Sequence, residues 1–200
     1  VVVIGIAGGT ASGKSTITRK LIESFHGRAL RIAHDRYYRT LPERYRANPL
    51  DYNFDHPDAL DTERLVADLH RLRTGQEAVL VDYDYGICER RDPSTWEVVS
   101  PPEILVIEGI LVLAVPELRQ LFDHSVFVHT AADLRLARRL RRDIVERGDT
   151  PNGVIDQYLA TVRPMHLEFV EPSRVHADLV IDGTGQVEHA ISRIRTLVGE

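Results

Sequence analysis

Sulfur is nearly missing from this chain, which holds one cysteine, Cys88, and one methionine. A lone thiol can close no internal disulfide and build no cysteine-based zinc site, a pattern that fits a reducing cytoplasm. Long hydrophobic runs are missing as well: none approaches the ~20 residues needed to span a bilayer. The opening segment reads as a strand, not as a basic signal-peptide start. The expectation is a cytoplasmic protein with no membrane partner. Positive charge is not in excess either. A formal net charge of -5 and a pI near 6.0 supply no basic field to displace counterions from nucleic acid, so any basic site must be local. What is present is ordinary for a globular chain of 200 residues, 43% hydrophobic and 28% charged, and it predicts one domain over 1–200 without repeats or linkers.

The run Val1 to Ala7 is apolar and β-branched without polar alternation, as in a strand buried on both faces of a parallel sheet. Similar runs recur at Ala29 to Ala33, Ile104 to Ile107, Ser125 to Val128 and Leu179 to Ile181. Helical patterns lie at Gly13 to Phe25, Asp61 to Arg73, Ala132 to Arg147, Ile155 to Val170 and Gln186 to Leu197. Asp61 or Thr62 can cap the second helix and Gly75 can stop it. The alternation predicts an α/β three-layer sandwich around a five-stranded parallel sheet. Between Ala78 and Val99, two strand-like runs flank the polar segment CERRDPSTW and predict an antiparallel hairpin beside that sheet.

GGTASGKST, Gly8 to Thr16, satisfies G-x-x-x-x-G-K-[ST] and sits between a buried strand and a helix, where a phosphate cradle must lie. Its glycines permit turns that bring successive N–H groups toward phosphate oxygens, and the helix start adds its positive end. The segment Gly8, Gly9, Thr10, Ala11, Ser12, Gly13, Lys14, Ser15 and Thr16 is therefore the candidate triphosphate site. Lys14 is placed to reach the β- and γ-phosphates, and the Ser15 hydroxyl to ligate Mg2+. EILVIEG ends a buried strand in Glu108, a carboxylate at the carboxyl edge of the sheet, suited to hold the metal or its water. On its own such an acid would more often be a solvated strand end.

RIAHDRYY ends another strand at Asp35, placed to accept the proton of an attacking hydroxyl and to help orient Mg2+; the competing reading is a helix N-cap. His34 beside it is expected to be packed or solvated, and no histidine spacing suggests a metal site. In NFDHPDALD, turn chemistry accounts for Asp58 and Asp61, whereas Asp55 between Phe54 and His56 is positioned to accept from two vicinal hydroxyls of a sugar. From Asp133, DLRLARRLRRDIVERGD places Arg135, Arg138, Arg139 and Arg142 on one helical face. Ala137, Leu140 and Ile144 fall on another, which is expected to face the core. The arginines suit a lid that neutralises charge on a transferring group, with Gly148 as a hinge; a solvated helix face is the plainer alternative.

Taken together and in order, GGTASGKST, HDRYY, NFDHPDALD, YDYGICERR, IEGIL, RLARRLRRDIVERG, Gln157-Tyr158 and EPSRVHADLVI resemble the uridine/cytidine kinases within the wider P-loop group that includes phosphoribulokinases. The likeness runs over nearly the whole chain. It implies an ATP-dependent (or GTP-dependent), Mg2+-requiring phosphotransferase acting on a nucleoside 5'-hydroxyl in pyrimidine salvage. Asp35 would be the base, Asp55 the ligand of the ribose hydroxyls, and Ser15, Asp35 and Glu108 the metal set. It further implies Arg139 beside the acceptor hydroxyl, Arg142 and Arg147 in a lid (139–155) over the phosphates, and Gln157 on the acceptor side. Tyr38, Tyr83, Tyr85, Cys88 and Ile110 would line the acceptor pocket, the hairpin being 78–100, and Asp182 to Gln186 would lie near the adenine. A homo-tetramer or dimer is implied by the same likeness. Two positions depart from the pattern: Cys88 stands where the family usually has histidine, and Asp149 where it has a second arginine. Both usual residues contact the pyrimidine, which leaves another ribonucleoside or a sugar-like alcohol as an alternative acceptor. A nucleotide-dependent switch ATPase is the alternative from another class, but it would need no Asp55, and the guanine-reading N-K-x-D is absent.

Overall fold

The computed structural model describes residues 1–200. β1 (Val2–Ala7) runs through the phosphate-loop segment into α1 (Lys14–Ser24) and returns as β2 (Ala29–Ala33). Four short 3-10 turns lie between His34 and Ala59, before α2 (Thr62–Arg73). β3 (Ala78–Leu80), β4 (Tyr83–Asp84), β5 (Glu89–Arg90) and β6 (Glu97–Val99) precede β7 (Ile104–Glu108), α3 (Pro116–Arg119) and β8 (His124–His129). α4 (Ala132–Arg147), α5 (Pro151–Gln157), α6 (Arg163–Met165), β9 (Leu179–Asp182) and α7 (Val187–Leu197) complete the chain. Five strands form one sheet in the order β2-β7-β1-β8-β9, all parallel.

The period of 2 along each strand divides the core between the two faces of this sheet. Val3 and Ala7 of β1, with Leu105 and Ile107 of β7, meet Leu65, Leu69 and Leu72 of α2 on one face. Ile4, Ile6, Ile104 and Val106 meet Ile17 and Leu21 of α1 and Ala190 and Ile194 of α7 on the other. Both faces are covered, so these strands read as unbroken apolar runs, and each fully buried Leu, Ile or Val is worth about 1.5–3 kcal/mol. The Asp61 carboxylate accepts from Arg64 N at 3.3 Å to start α2, and Gly75 follows its end at φ +81°. No helix is long and apolar enough to cross a membrane.

Three expectations are refined or revised. The antiparallel pairing expected between Ala78 and Val99 is present, as two ladders, β3 with β6 and β4 with β5, because the 3-10 turn Pro93–Thr95 takes up the extra length of the returning arm. The helix expected from Ile155 begins at Pro151, with Thr150 Oγ1 accepting from Gly153 N at 3.1 Å, a cap with proline in the first turn that marks a helix start. Its continuation carries π turns at Tyr158–Val162 and His166–Val170.

The third revision concerns α4, which inverts the expected polarity. Arg135, Arg139 and Asp143 are its buried residues, while Ala137 and Ile144 are exposed and Leu140 is half-buried. The cause lies in what the helix covers. α4 packs over the loops at the carboxyl edge of the sheet, where exposed backbone carbonyls and hydroxyls call for hydrogen-bond donors. An apolar face there would leave those groups unpaired.

Candidate active site

Gly13, immediately before α1, has φ +96°, a left-handed conformation that glycine adopts without a steric penalty and that turns the loop into the helix start. The loop is braced from outside by side chains. Thr130 Oγ1 donates to Ser12 O at 2.9 Å, Arg138 Nη1 to Gly183 O at 3.1 Å, and Arg139 Nη1 to Thr10 Oγ1 at 3.3 Å. Arg135 Nε holds Thr130 O at 3.0 Å, and its Nη1 would lie 2.7 Å from any Cβ on Gly9. The arginine face expected from spacing therefore exists, and it meets the phosphate loop. Gly183, in the segment Asp182 to Gln186, approaches Ser12 O so closely that a Cβ there would collide with it. Ser15 and Thr16 are exposed on the first turn of α1, with Lys14 half-buried beside them.

Lys14 is where the charges converge. Desolvation pulls its pKa below the usual lysine range, and the carboxylates of Glu108, Asp35 and Asp55 pull it back up, with Arg142 opposing them. Asp55 is the mirror case: desolvation raises its pKa while Arg139, Lys14 and Arg142 lower it. Lys14, Asp35, Asp55, Glu108, Arg139 and Arg142 thus lie close enough for their charges to act on one another. Glu108 is buried, and its Oε1 accepts from Arg31 Nε at 2.8 Å and also from Arg31 Nη2. Its Oε2 is buried without any partner. The orphaned Glu108 oxygen, the exposed Asp35 carboxylate and the Ser15 hydroxyl next to Lys14 are hard oxygen donors, a chemistry that fits Mg2+. Asp35 is the second residue of the 3-10 turn His34–Tyr37, and its Oδ1 accepts from the Tyr85 hydroxyl at 2.9 Å.

On the lid side one buried acid gathers the arginines. Asp143 Oδ1 lies 2.7 Å from Arg142 Nε and 3.6 Å from Arg147 Nε, and its Oδ2 lies 3.2 Å from Arg139 Nε. Arg139 Nη2 also donates to Gln157 Oε1 at 2.6 Å, so Gln157 is tied to the cleft through Arg139. Gly148 ends α4 at φ +73°, and Asp149 N donates to Asp143 O at 3.1 Å.

The acceptor side is a wall of rings. Tyr45, Tyr52, Phe54, Tyr38, Tyr83 and Tyr85 follow one another with centroid spacings of 5.1, 4.8, 5.4, 5.6 and 5.3 Å. Arg90 fastens the hairpin to this wall, donating to Tyr38 O and Asp61 Oδ2, both at 2.9 Å. The Tyr83 hydroxyl is buried and has no partner in good hydrogen-bonding geometry. The Cys88 thiol is pushed up by burial and drawn back by the Tyr83 hydroxyl and Arg147. Ile110 packs half-buried against the core below. His34 is buried with Nε2 3.1 Å from Thr62 Oγ1, packed as expected.

Sequence reasoning missed Arg31, Tyr52, Thr130, Asp143 and His166. Asp143 was within reach, because it lies four residues from both Arg139 and Arg147. Arg31 gave only a weak signal, a cation interrupting a strand, and Thr130 gave none. The π turn His166–Val170 brings His166 Nε2 within 3.4 Å of Glu171 Oε2, a pairing that regular helical spacing conceals.

Comparison with known proteins agrees with this geometry. The sequence profile of the phosphoribulokinase / uridine kinase family matches residues 3–190. A uridine kinase of Chloroflexus aurantiacus is 47% identical over 194 residues, covering 96% of this chain and 92% of that protein. One from Halalkalibacterium halodurans is 38% identical over 204 residues, covering 100% and 96%. The phosphoribulokinase of Rhodobacter spheroides superposes with a TM-score of 0.66 at 17% identity over 92% of this chain and 72% of its own, a likeness of fold alone. With a family match over most of its length and a phosphate loop facing clustered acids across one cleft, the chain belongs to the phosphoribulokinase / uridine kinase family.

Proposed function

We propose that this protein is an ATP-dependent nucleoside kinase that phosphorylates the 5'-hydroxyl of uridine or cytidine, giving UMP or CMP. The convergence of Lys14 with Asp35, Asp55 and Glu108 between a phosphate loop and an aromatic wall carries the reading. ATP lies along Gly8 to Thr16 with its γ-phosphate at Lys14. The nucleoside lies against Tyr38, Tyr83, Tyr85, Cys88 and Ile110, with its ribose hydroxyls on Asp55. Asp35 accepts the 5'-hydroxyl proton as that oxygen attacks the γ-phosphorus in line and the bond to the β-phosphate oxygen breaks. Lys14, Arg139 and Arg142 neutralise charge on the phosphoryl group, and Arg147 closes with the lid at 139–155, while Gln157 holds Arg139 in register. Ser15, Asp35 and Glu108 would hold Mg2+, which when bound neutralises the β- and γ-phosphate oxygens.

Residues 1–200 act as one kinase domain in this reading, with 78–100 serving the acceptor. The uncovered apolar stripe on α4, including Leu134, Ile144 and Val145, supports assembly into a homo-oligomer, which light scattering would measure. A coupled assay with uridine, cytidine, purine nucleosides and free sugars tests the acceptor: efficient turnover restricted to the pyrimidine nucleosides is expected, and efficient turnover of another alcohol instead rejects it. Asp35→Ala is expected to lower kcat at least ~100-fold; unchanged turnover rejects Asp35 as base.

A further inference from the structure

Asp35 and Tyr85 come from different parts of the chain. Asp35 follows β2 at the sheet edge, and Tyr85 follows β4 in the acceptor hairpin. Their side chains meet in a hydrogen bond of 2.9 Å from the Tyr85 hydroxyl to Asp35 Oδ1. The ring is also the last in the aromatic wall, 5.3 Å from Tyr83. Tyr85 is half-exposed, so its position owes little to core packing. The phenolic O–H is the donor of this bond and the carboxylate its acceptor.

We propose that Tyr85 is a positioning residue for phosphoryl transfer: its hydroxyl fixes the Asp35 carboxylate from the acceptor hairpin and leaves Oδ2 aimed at the acceptor. The proposal rests on Asp35 being the base. An exposed carboxylate on a short 3-10 turn is otherwise free to rotate about χ1 and χ2, and a base that wanders from the attacking oxygen loses most of its advantage. With Oδ1 accepting from the phenol, Oδ2 is the oxygen left to receive the proton, while the second lone pair of Oδ1 remains for the metal that Asp35 would help to hold. That proton passes from the acceptor hydroxyl to Oδ2 as the new O–P bond forms and the bond from phosphorus to the ADP oxygen breaks. The Tyr85 proton stays on Tyr85. The wall that receives the acceptor's base and the acid aimed at its hydroxyl thereby become one mechanical unit, so a misplaced base disturbs the chemical step as well as binding.

A double-mutant cycle tests this, using Tyr85→Phe, Asp35→Asn and the pair, with single-turnover rates for uridine and Mg·ATP, KM values and melting curves. Tyr85→Phe keeps the ring and removes only the hydroxyl. The expected result is a rate about tenfold lower, the scale of one hydrogen bond to a charged group, with both KM values within about twofold and an unchanged melting temperature. In the Asp35→Asn background the same substitution is expected to cost nothing further. An unchanged rate for Tyr85→Phe, or an equal loss in both backgrounds, overturns the proposal while leaving Asp35 as base. A near-wild-type rate for Asp35→Asn instead removes the base assignment, and the role of Tyr85 with it.

Discussion

The donor half and the acceptor half of the cleft are built by different means. Around the phosphate loop, Thr130 and Arg139 bond directly to loop atoms and Arg138 reaches Ser12 O at 3.5 Å while holding the neighbouring Gly183 O, and the loop itself continues a strand that is buried apart from its first residue. Across the cleft, the segment from His34 to Ala59 has no regular helix or strand, only 3-10 turns, and its shape comes from ring-to-ring contacts and from Arg90. The contrast follows from the ligands. A triphosphate presents the same charged oxygens whatever it serves, so backbone amides and fixed cations recognise it. An acceptor is recognised by shape and a few hydroxyls, and this falls to adaptable loops on a rigid frame.

The contrast can be broken most forcefully on the donor side. Lys14→Met removes the cation on which Glu108, Asp35 and Asp55 converge, and kcat is expected to fall about 100- to 1000-fold, with nucleoside affinity retained in direct binding measurements. A comparable loss of nucleoside affinity would mean that the two halves are not separable. Asp55→Asn attacks the acceptor side. It weakens up to two charge-assisted hydrogen bonds, so the nucleoside KM is expected to rise about 10- to 100-fold while the ATP KM stays nearly constant. A change confined to ATP would place Asp55 with the donor instead.

The smallest effect concerns the brace behind the loop. His166 lies against Gly9, facing Arg135, Glu171 and His129, and its pKa is lowered from 6.5 to about 4, chiefly by desolvation. The folded protein therefore binds this proton less readily than the unfolded chain does. Stability from this group is complete above pH 6.5 and is lost as pH falls toward about 4. Chemical denaturation at pH 7 and pH 5 is expected to show a smaller drop for His166→Gln than for the parent chain. Equal drops would remove His166 as the source.

The sheet was legible because burial on both faces leaves an unbroken apolar signature, and the phosphate loop because its chemistry fixes residue types at fixed spacing. Asp35, Glu108 and Asp55 stood out only in company with the phosphate loop, because a carboxylate at a strand end has an ordinary role as a solvated end or a cap and only the aromatic neighbours of Asp55 argue against plain turn chemistry. α4 was misread. Its arginine spacing was clear, but apolar periodicity pointed Ala137 and Ile144 inward, and only the identity of the neighbouring surface, a polar loop edge, reverses that choice. The wall from Tyr45 to Tyr85 was only partly visible, since stacking between Tyr38 and Tyr83 depends on a fold that brings distant segments together.

By itself, the order of residues determined what local physics controls: strand burial, the left-handed turn at Gly13 and the cap at Asp61. Only the tertiary structure decided which side chains meet across the cleft. Arg31 on Glu108, Tyr85 on Asp35 and three arginines on Asp143 are pairings set by the packing of separate elements or by the face a helix presents. Their energies depend on burial and on neighbours, which no local spacing encodes.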